Sequence, residues 1–230
     1  MKPILIIQNI TREQAGLITT VCQERQQPYV VLDLSKGQTL TGAMTDYAGV
    51  VMMGGPDSAN DTTPKMLAAL AFTQQALQQG LPFFGICLGL QVLTKAAGGQ
   101  VVKCPVKEVG WNYTIQQTPA GQHDPLLKGL PDTIPVFQLH GEMVVPTATM
   151  TILAAGQDCP VQILQVANQA YGLQCHLELT DELYQIWLDQ DPDLQQLNRF
   201  DLEQHWQTVR GEYTQQGKQL INNWLDLFSS

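Results

Sequence analysis

Apolar runs and amphipathic stretches alternate along the first hundred residues and divide them into strand, helix, strand units. Residues 4–7, Ile-Leu-Ile-Ile, form a continuous β-branched-rich run, which predicts a strand buried on both faces of a parallel sheet. Thr11, with Gln14 three residues later, reads as a capping box opening a helix that runs to about Arg25. Residues 29–34 predict a second strand and residues 49–53 a third, which ends in Gly54-Gly55-Pro56-Asp57-Ser58. Two glycines there let the backbone turn tightly and approach a ligand closely. Pro64 at a helix start, apolar positions at Met66, Leu67, Leu70 and Leu77, and Gly80 past the end predict the next helix. Residues 82–86 then form a fourth strand, and Leu90, Val92 and Leu93 belong to a helix that Gly98-Gly99 terminates.

From Gln100 the pattern changes to short strand-like pieces at residues 101–103, 109–115, 136–139, 151–154, 161–166 and 170–174, separated by Pro, Gly and Asp. These either extend the sheet or add a small antiparallel layer over it. Thr180-Asp181-Glu182 caps a further helix whose buried side is Leu183, Ile186 and Trp187. Leu202, Trp206, Val209, Tyr213, Leu220 and Trp224 recur at helical spacing along terminal helices, and packing on the body of the domain is the preferred reading over a partner-binding face. The order is that of a doubly wound α/β fold, whose ligands lie at the carboxyl ends of the strands.

Composition narrows the function classes. With 230 residues and 44% hydrophobic content the chain can bury a sizeable core, and the absence of a linker-like shift favours one domain over residues 1–230. A formal net charge of −9 and a pI near 4.7 argue against a nucleic-acid groove or attraction to an anionic membrane, leaving small molecules or another protein as partners. The five cysteines, Cys22, Cys87, Cys104, Cys159 and Cys175, show neither Cys-x-x-Cys nor Cys/His ligand spacing, so no disulfide framework, metal site or cofactor is expected. That usage suits a reducing cytosol, and a cytoplasmic location is expected because no signal-peptide core or membrane span is evident.

Candidate chemistry centres on residues 81–91, LPFFGICLGLQ. Gly85-Ile86-Cys87-Leu88-Gly89 between strand and helix is the cysteine form of a nucleophile elbow. The helix N-terminus stabilises a thiolate there, and a neighbouring imidazole would complete its activation. His123, in a Gly/Asp/Pro-rich loop, and His205, in a charged helix, suit a solvated surface, which leaves His140 and His176. His176 precedes Glu178 by two residues, and in extended chain that spacing puts both on one face, so the carboxylate can orient the imidazole. Cys175, of opposite parity, points into the core. The N–H of Leu88 is the natural first oxyanion donor and Gly55 can supply a second.

The segments GGPDS, FFGICLGLQ, EVGW and GLQCHLE, in this order and at these separations, resemble the class I glutamine amidotransferase family. FQLHGEMVVP and the Cys159-Pro160 step resemble more narrowly its stand-alone, GMP-synthase-like members. The resemblance spans roughly residues 3–190, with residues 191–230 as C-terminal helices packed on the domain. It implies a flavodoxin-like three-layer sandwich with a mostly parallel central sheet. It also implies Cys87 as nucleophile, His176 as general base and acid, Glu178 as its orienter, and Gly55 and Leu88 as the oxyanion donors. Gln91 and the His140-Gly141-Glu142 turn would hold the amino-acid end of the substrate. Cys175 and Leu177 stand where the family commonly has Phe and Pro, and Leu139 stands where Trp commonly precedes the His-Gly-Asp turn.

The reaction so implied is hydrolysis of the γ-amide of glutamine through a γ-glutamyl thioester, releasing ammonia. No phosphate-binding loop accompanies it, so the alternatives are delivery of ammonia to a separate synthase subunit or self-contained hydrolysis of a γ-glutamyl amine or peptide. A regulatory binding protein that keeps the fold without catalysis is a third reading, which the intact Cys87, His176 and Glu178 disfavour.

Overall fold

The computed structural model describes residues 1–40 and 42–228, so the last two residues of the expected helical region at 191–230 lie outside the described residues. A nine-stranded sheet forms its centre, in the order β2-β1-β3-β4-β9-β8-β7-β5-β6. The parallel half consists of β1 (Ile4–Gln8), β2 (Tyr29–Asp33), β3 (Gly49–Met52), β4 (Phe83–Ile86) and β9 (Ala170–Leu173). Every residue of β1, β3, β4 and β9 is buried, as continuous apolar runs require in a sheet covered on both faces. β2 is the edge, and its Val30 and Val31 are exposed.

The expected separate pieces after Gln100 are fewer and longer. β5 (Gln100–Gln117) and β6 (Thr133–Val145) form one tall antiparallel hairpin, and β7 (Thr151–Ala155) and β8 (Ile163–Ala167) join it to β9. They extend the sheet, which thus joins the parallel half that carries the site to an antiparallel half beyond β9.

Side-chain alternation on β1 generates the layers: Ile4 and Ile6 enter one core, Leu5 and Ile7 the other. The first core lies under α1 (Leu17–Glu24), α4 (Asp181–Gln190) and α5 (Arg199–Asp226), the second under α2 (Pro64–Gln78) and α3 (Leu88–Ala96). α2 starts where expected, with Pro64 behind a Thr63 cap that accepts from Met66 N at 3.3 Å. The expected terminal helices are a single helix, α5, whose Trp206, Tyr213, Leu220 and Trp224 are buried in the first core.

One expected element is corrected. Thr11 caps no helix; its hydroxyl donates to Asp33 Oδ2 at 2.6 Å, and α1 begins six residues later at Leu17. Gly16, at φ +47°, turns the chain into α1 so that Leu17 N donates to Glu178 O at 2.8 Å. A Cβ at Gly16 would collide with that carbonyl oxygen. Residues 9–16 therefore form a loop that carries side chains to the carboxyl ends of β1, β3 and β4. Among the described residues, no helix is long and apolar enough to cross a membrane.

Candidate active site

β4 and β9 are adjacent and parallel, so the residues that follow them leave the sheet at the same edge. After β4, Cys87 sits at φ 51° and ψ −107°, a conformation that costs a residue with a Cβ about 1–3 kcal/mol and persists only where its surroundings enforce it. They do so through close backbone packing. A Cβ on Gly85 would lie 2.5 Å from the Gly89 backbone, and one on Gly89 would collide with the Met52 carbonyl oxygen. Cys87 N donates to Leu173 O at 2.7 Å, tying the turn to β9.

After β9, the His176 backbone exchanges two hydrogen bonds with Phe137 of β6, at 2.8 and 3.3 Å. Its Nδ1 is 2.6 Å from Glu178 Oε1, and Leu177 N donates to the other carboxylate oxygen at 2.9 Å. The edge of the ring rests on Trp187 with centroids 4.8 Å apart. Nε2, on the far side, is buried with no hydrogen-bond partner among the described residues. Burial opposes protonation of this imidazole, but the Glu178 charge, the hydrogen bond to Glu178 and the nearby Cys87 outweigh it and hold the group well above its ordinary pKa.

Gly55 and Leu88 lie side by side. A Cβ on Gly55 would be 3.1 Å from Leu88 Cδ2, and Leu88 is the first residue of α3, where N–H groups have no partner within the helix. Gln91 Nε2 donates to Glu142 O at 3.3 Å and to Gln174 Oε1 at 3.4 Å. The Glu142 carboxylate is held by Ser58 Oγ at 2.8 and 3.0 Å. His140 is buried within the hairpin: Nε2 is 2.8 Å from Glu108 Oε2, and Nδ1 is 3.0 Å from Glu142 O. Burial pulls its pKa down, yet hydrogen bonds to Cys104 and Glu108 prevail and lift it to about 9.

These groups border a cavity of about 660 Å³ lined by Gly55, Cys87, Gln91, His140, Gly141 and Glu142, together with Arg12, Glu13, Asp57, Ser58, Lys103, Lys107, Asp191 and Asp193. His176 and Glu178 stand behind Cys87, outside the lining. Both signs of charge meet at the rim, with Arg12 paired to Asp191 at 3.1 Å and Lys107 to Asp193 at 2.5 Å, a surface suited to a zwitterion. The other two histidines lie outside it. His123 is exposed with Nδ1 2.8 Å from Pro119 O, while half-buried His205 stacks on Trp111 at 5.6 Å rather than being solvated.

Two neighbours escaped the sequence reading. Gln174 Nε2 lies 3.7 Å from Cys87 Sγ, and its spacing of two before His176 was the available signal. Glu13 reaches the site from the loop before α1, where a Cβ on Gly54 would collide with its Oε2. Burial pushes its carboxyl up to about 7, against the lowering influence of His176 and Arg12. The apparent capping box concealed it, and no other sequence signal marks it.

The class I glutamine amidotransferase family model matches residues 16–186. The chain belongs to the class I glutamine amidotransferase family. It is 32% identical over 175 residues to the glutamine amidotransferase-like protein YfeJ of Salmonella typhimurium, covering 74% of this chain and 73% of that one. It is 33% identical over 139 residues to a glutamine-hydrolysing GMP synthase subunit of Methanoregula boonei, covering 59% and 68%. A crystal structure of a glutamine amidotransferase from Methylobacillus flagellatus superposes with a TM-score of 0.89 over 100% of this chain and 96% of that one, at 24% identity. That structural likeness speaks for the glutamine amidotransferase fold.

Proposed function

We propose that the protein hydrolyses the γ-amide of glutamine through a γ-glutamyl thioester on Cys87. The observation that carries the reading is the convergence of two strand ends: a cysteine held on a strained turn, and a buried imidazole whose far nitrogen is anchored on a carboxylate at 2.6 Å. Family membership supports the same chemistry.

In this reading the Cys87 thiol proton passes to His176 Nε2 and the sulfur attacks the γ-carbonyl carbon. The oxyanion so formed takes hydrogen bonds from the N–H groups of Leu88 and Gly55, donors fixed before charge develops. The imidazolium, stabilised by Glu178, returns its proton to the leaving nitrogen, the C–N bond breaks, and ammonia departs. Water then gives a proton to His176 and attacks the thioester; glutamate leaves and the proton restores the thiol. Gln91 and the His140-Gly141-Glu142 turn grip the amino-acid end, the Glu142 carboxylate being placed to meet an ammonium group. A separate synthase that consumes the ammonia is the partner this reading implies, in keeping with the GMP synthase among the relatives.

A second reading shares the chemistry and differs in substrate. A cavity of about 660 Å³ is in the range that encloses drug-sized ligands, larger than glutamine, which favours a γ-glutamyl amine or peptide hydrolysed without a partner. Steady-state assays of glutamine beside a panel of γ-glutamyl amides separate the two. Cys87→Ala is expected to abolish turnover of whichever substrate is used, and His176→Ala to lower the rate by about 10²- to 10⁴-fold. Full activity in Cys87→Ala would overturn both readings.

A further inference from the structure

We propose that Cys104, His140 and Cys159 form a binding site for a borderline-soft divalent cation, zinc by preference, on the flank of the β5–β6 hairpin. Cys104 Sγ, His140 Nδ1 and Cys159 Sγ all lie within 4.8 Å of one another, and Cys104 Sγ is 3.6 Å from His140 Nδ1. Donors sharing one tetrahedral zinc, with bonds of about 2.3 Å to sulfur and about 2.0 Å to nitrogen, sit roughly 3.5 Å apart. The cluster is therefore within a small side-chain adjustment of coordination.

The hydrogen bonds behind the cluster match the needs of a ligating histidine. Glu108 Oε2, itself held by Gln162 Nε2 at 3.0 Å, takes the Nε2–H of His140 at 2.8 Å, the orienting contact a ligating histidine has, and Nδ1 is the nitrogen that faces the two sulfurs. Nδ1 also lies 3.0 Å from the Glu142 carbonyl oxygen, so it carries a proton toward that oxygen until an ion displaces it, as binding to any protonated ligand requires. Thiolate and imidazole donors select zinc over magnesium or calcium.

The fold delivers these donors from three places. Lys103 pairs with Glu142 and Glu108 with His140, so residues 104–107 of β5 bulge opposite Gly141 alone. Such a bulge re-aims side chains, and it brings Cys104 against His140. Cys159 comes from the turn between β7 and β8, closed by Gly156 N donating to Cys159 O at 3.1 Å. Cys104 is half-buried, giving an ion a way in, and the bound ion would pin the His140-Gly141-Glu142 turn, which borders the Cys87 cavity.

The test is a cobalt(II) titration of reduced, chelator-treated full-length protein in oxygen-free buffer. One cobalt per chain is expected, with thiolate charge-transfer absorption and tetrahedral-type visible bands that zinc displaces. Both signals should vanish in Cys104→Ser and Cys159→Ser and persist in Cys87→Ala, with circular dichroism checking that each variant is folded. A measurement on the unmutated protein runs beside it: zinc should slow alkylation of Cys104, read by peptide mass spectrometry, by about tenfold or more. Absence of the cobalt bands from folded wild-type protein, their survival in both serine variants, or their loss in Cys87→Ala would each overturn the site, as would unchanged alkylation of Cys104.

Discussion

Glu13 shows how a single buried group ties the site to the stability of the whole fold. Its carboxyl is raised from an ordinary 4.5 to about 7, chiefly by burial, so the folded protein binds a proton there more tightly than the unfolded chain does. The resulting stability is fully present below pH 4.5 and is lost as the pH rises through 7. Glu13→Gln removes the titration while keeping the shape. At pH 8 the variant is expected to be more stable than the parent by on the order of 3 kcal/mol, the gap closing as the pH falls and disappearing near pH 4. Urea denaturation across that range measures it, and a gap independent of pH would mean that burial does not raise the Glu13 carboxyl in the native state. The grouping of Cys87 with the His176–Glu178 pair was legible in the sequence because it leaves local patterns: two glycines around Cys87, and a spacing of two between His176 and Glu178. Glu13 and Cys104 were not, because each meets its neighbours through a loop or a bulge that leaves no periodicity behind.

Strands and helices followed the same rule. The buried parallel strands announced themselves as apolar runs and were found to within a residue or so, and α2 and α4 were marked by Pro64 and by Thr180. The β5–β6 hairpin is fragmentary in the sequence because its bulges and curvature interrupt the alternation that a flat strand would show. The Thr11–Gln14 pattern places the start of α1 six residues too early, since the Thr11 hydroxyl is taken by the Asp33 carboxylate and Glu13 is drawn into the site, while the end of the helix near Arg25 is as expected. Within α4, Thr180 Oγ1 accepts from Leu183 N at 3.2 Å, and this helix presents Trp187 to the His176 ring. Thr180→Ala is expected to cost about 1 kcal/mol. Thermal melts should show that loss; an unchanged melting temperature would mean that tertiary packing alone fixes the start of α4.

At the scale of the molecule, α5 completes the core around the site. Trp206 and Tyr213 join Trp111, Phe137 and Tyr184 in one aromatic cluster, and Trp224 stacks on Phe84 of β4 at 5.4 Å. Gly217 passes so close to Leu177 that a Cβ there would collide with its carbonyl oxygen. Each buried aromatic is worth roughly 1.5–3 kcal/mol, and a domain's net stability is only about 5–15 kcal/mol. A chain ending at Leu197 should therefore fail to unfold cooperatively and should bind a hydrophobic dye. A sharp transition in the truncated protein would show that α5 is an accessory.

The placement of β4 beside β9 also has a temporal side. Cys87 is translated well before His176, and synthesis at roughly 5–20 residues per second separates them by several seconds. Throughout that interval the nascent chain carries a thiol with neither the imidazole beside it nor the β9 carbonyl that holds its turn. The arrangement of Cys87, His176 and Glu178 is thus acquired only once β9 and the residues that follow it have been made.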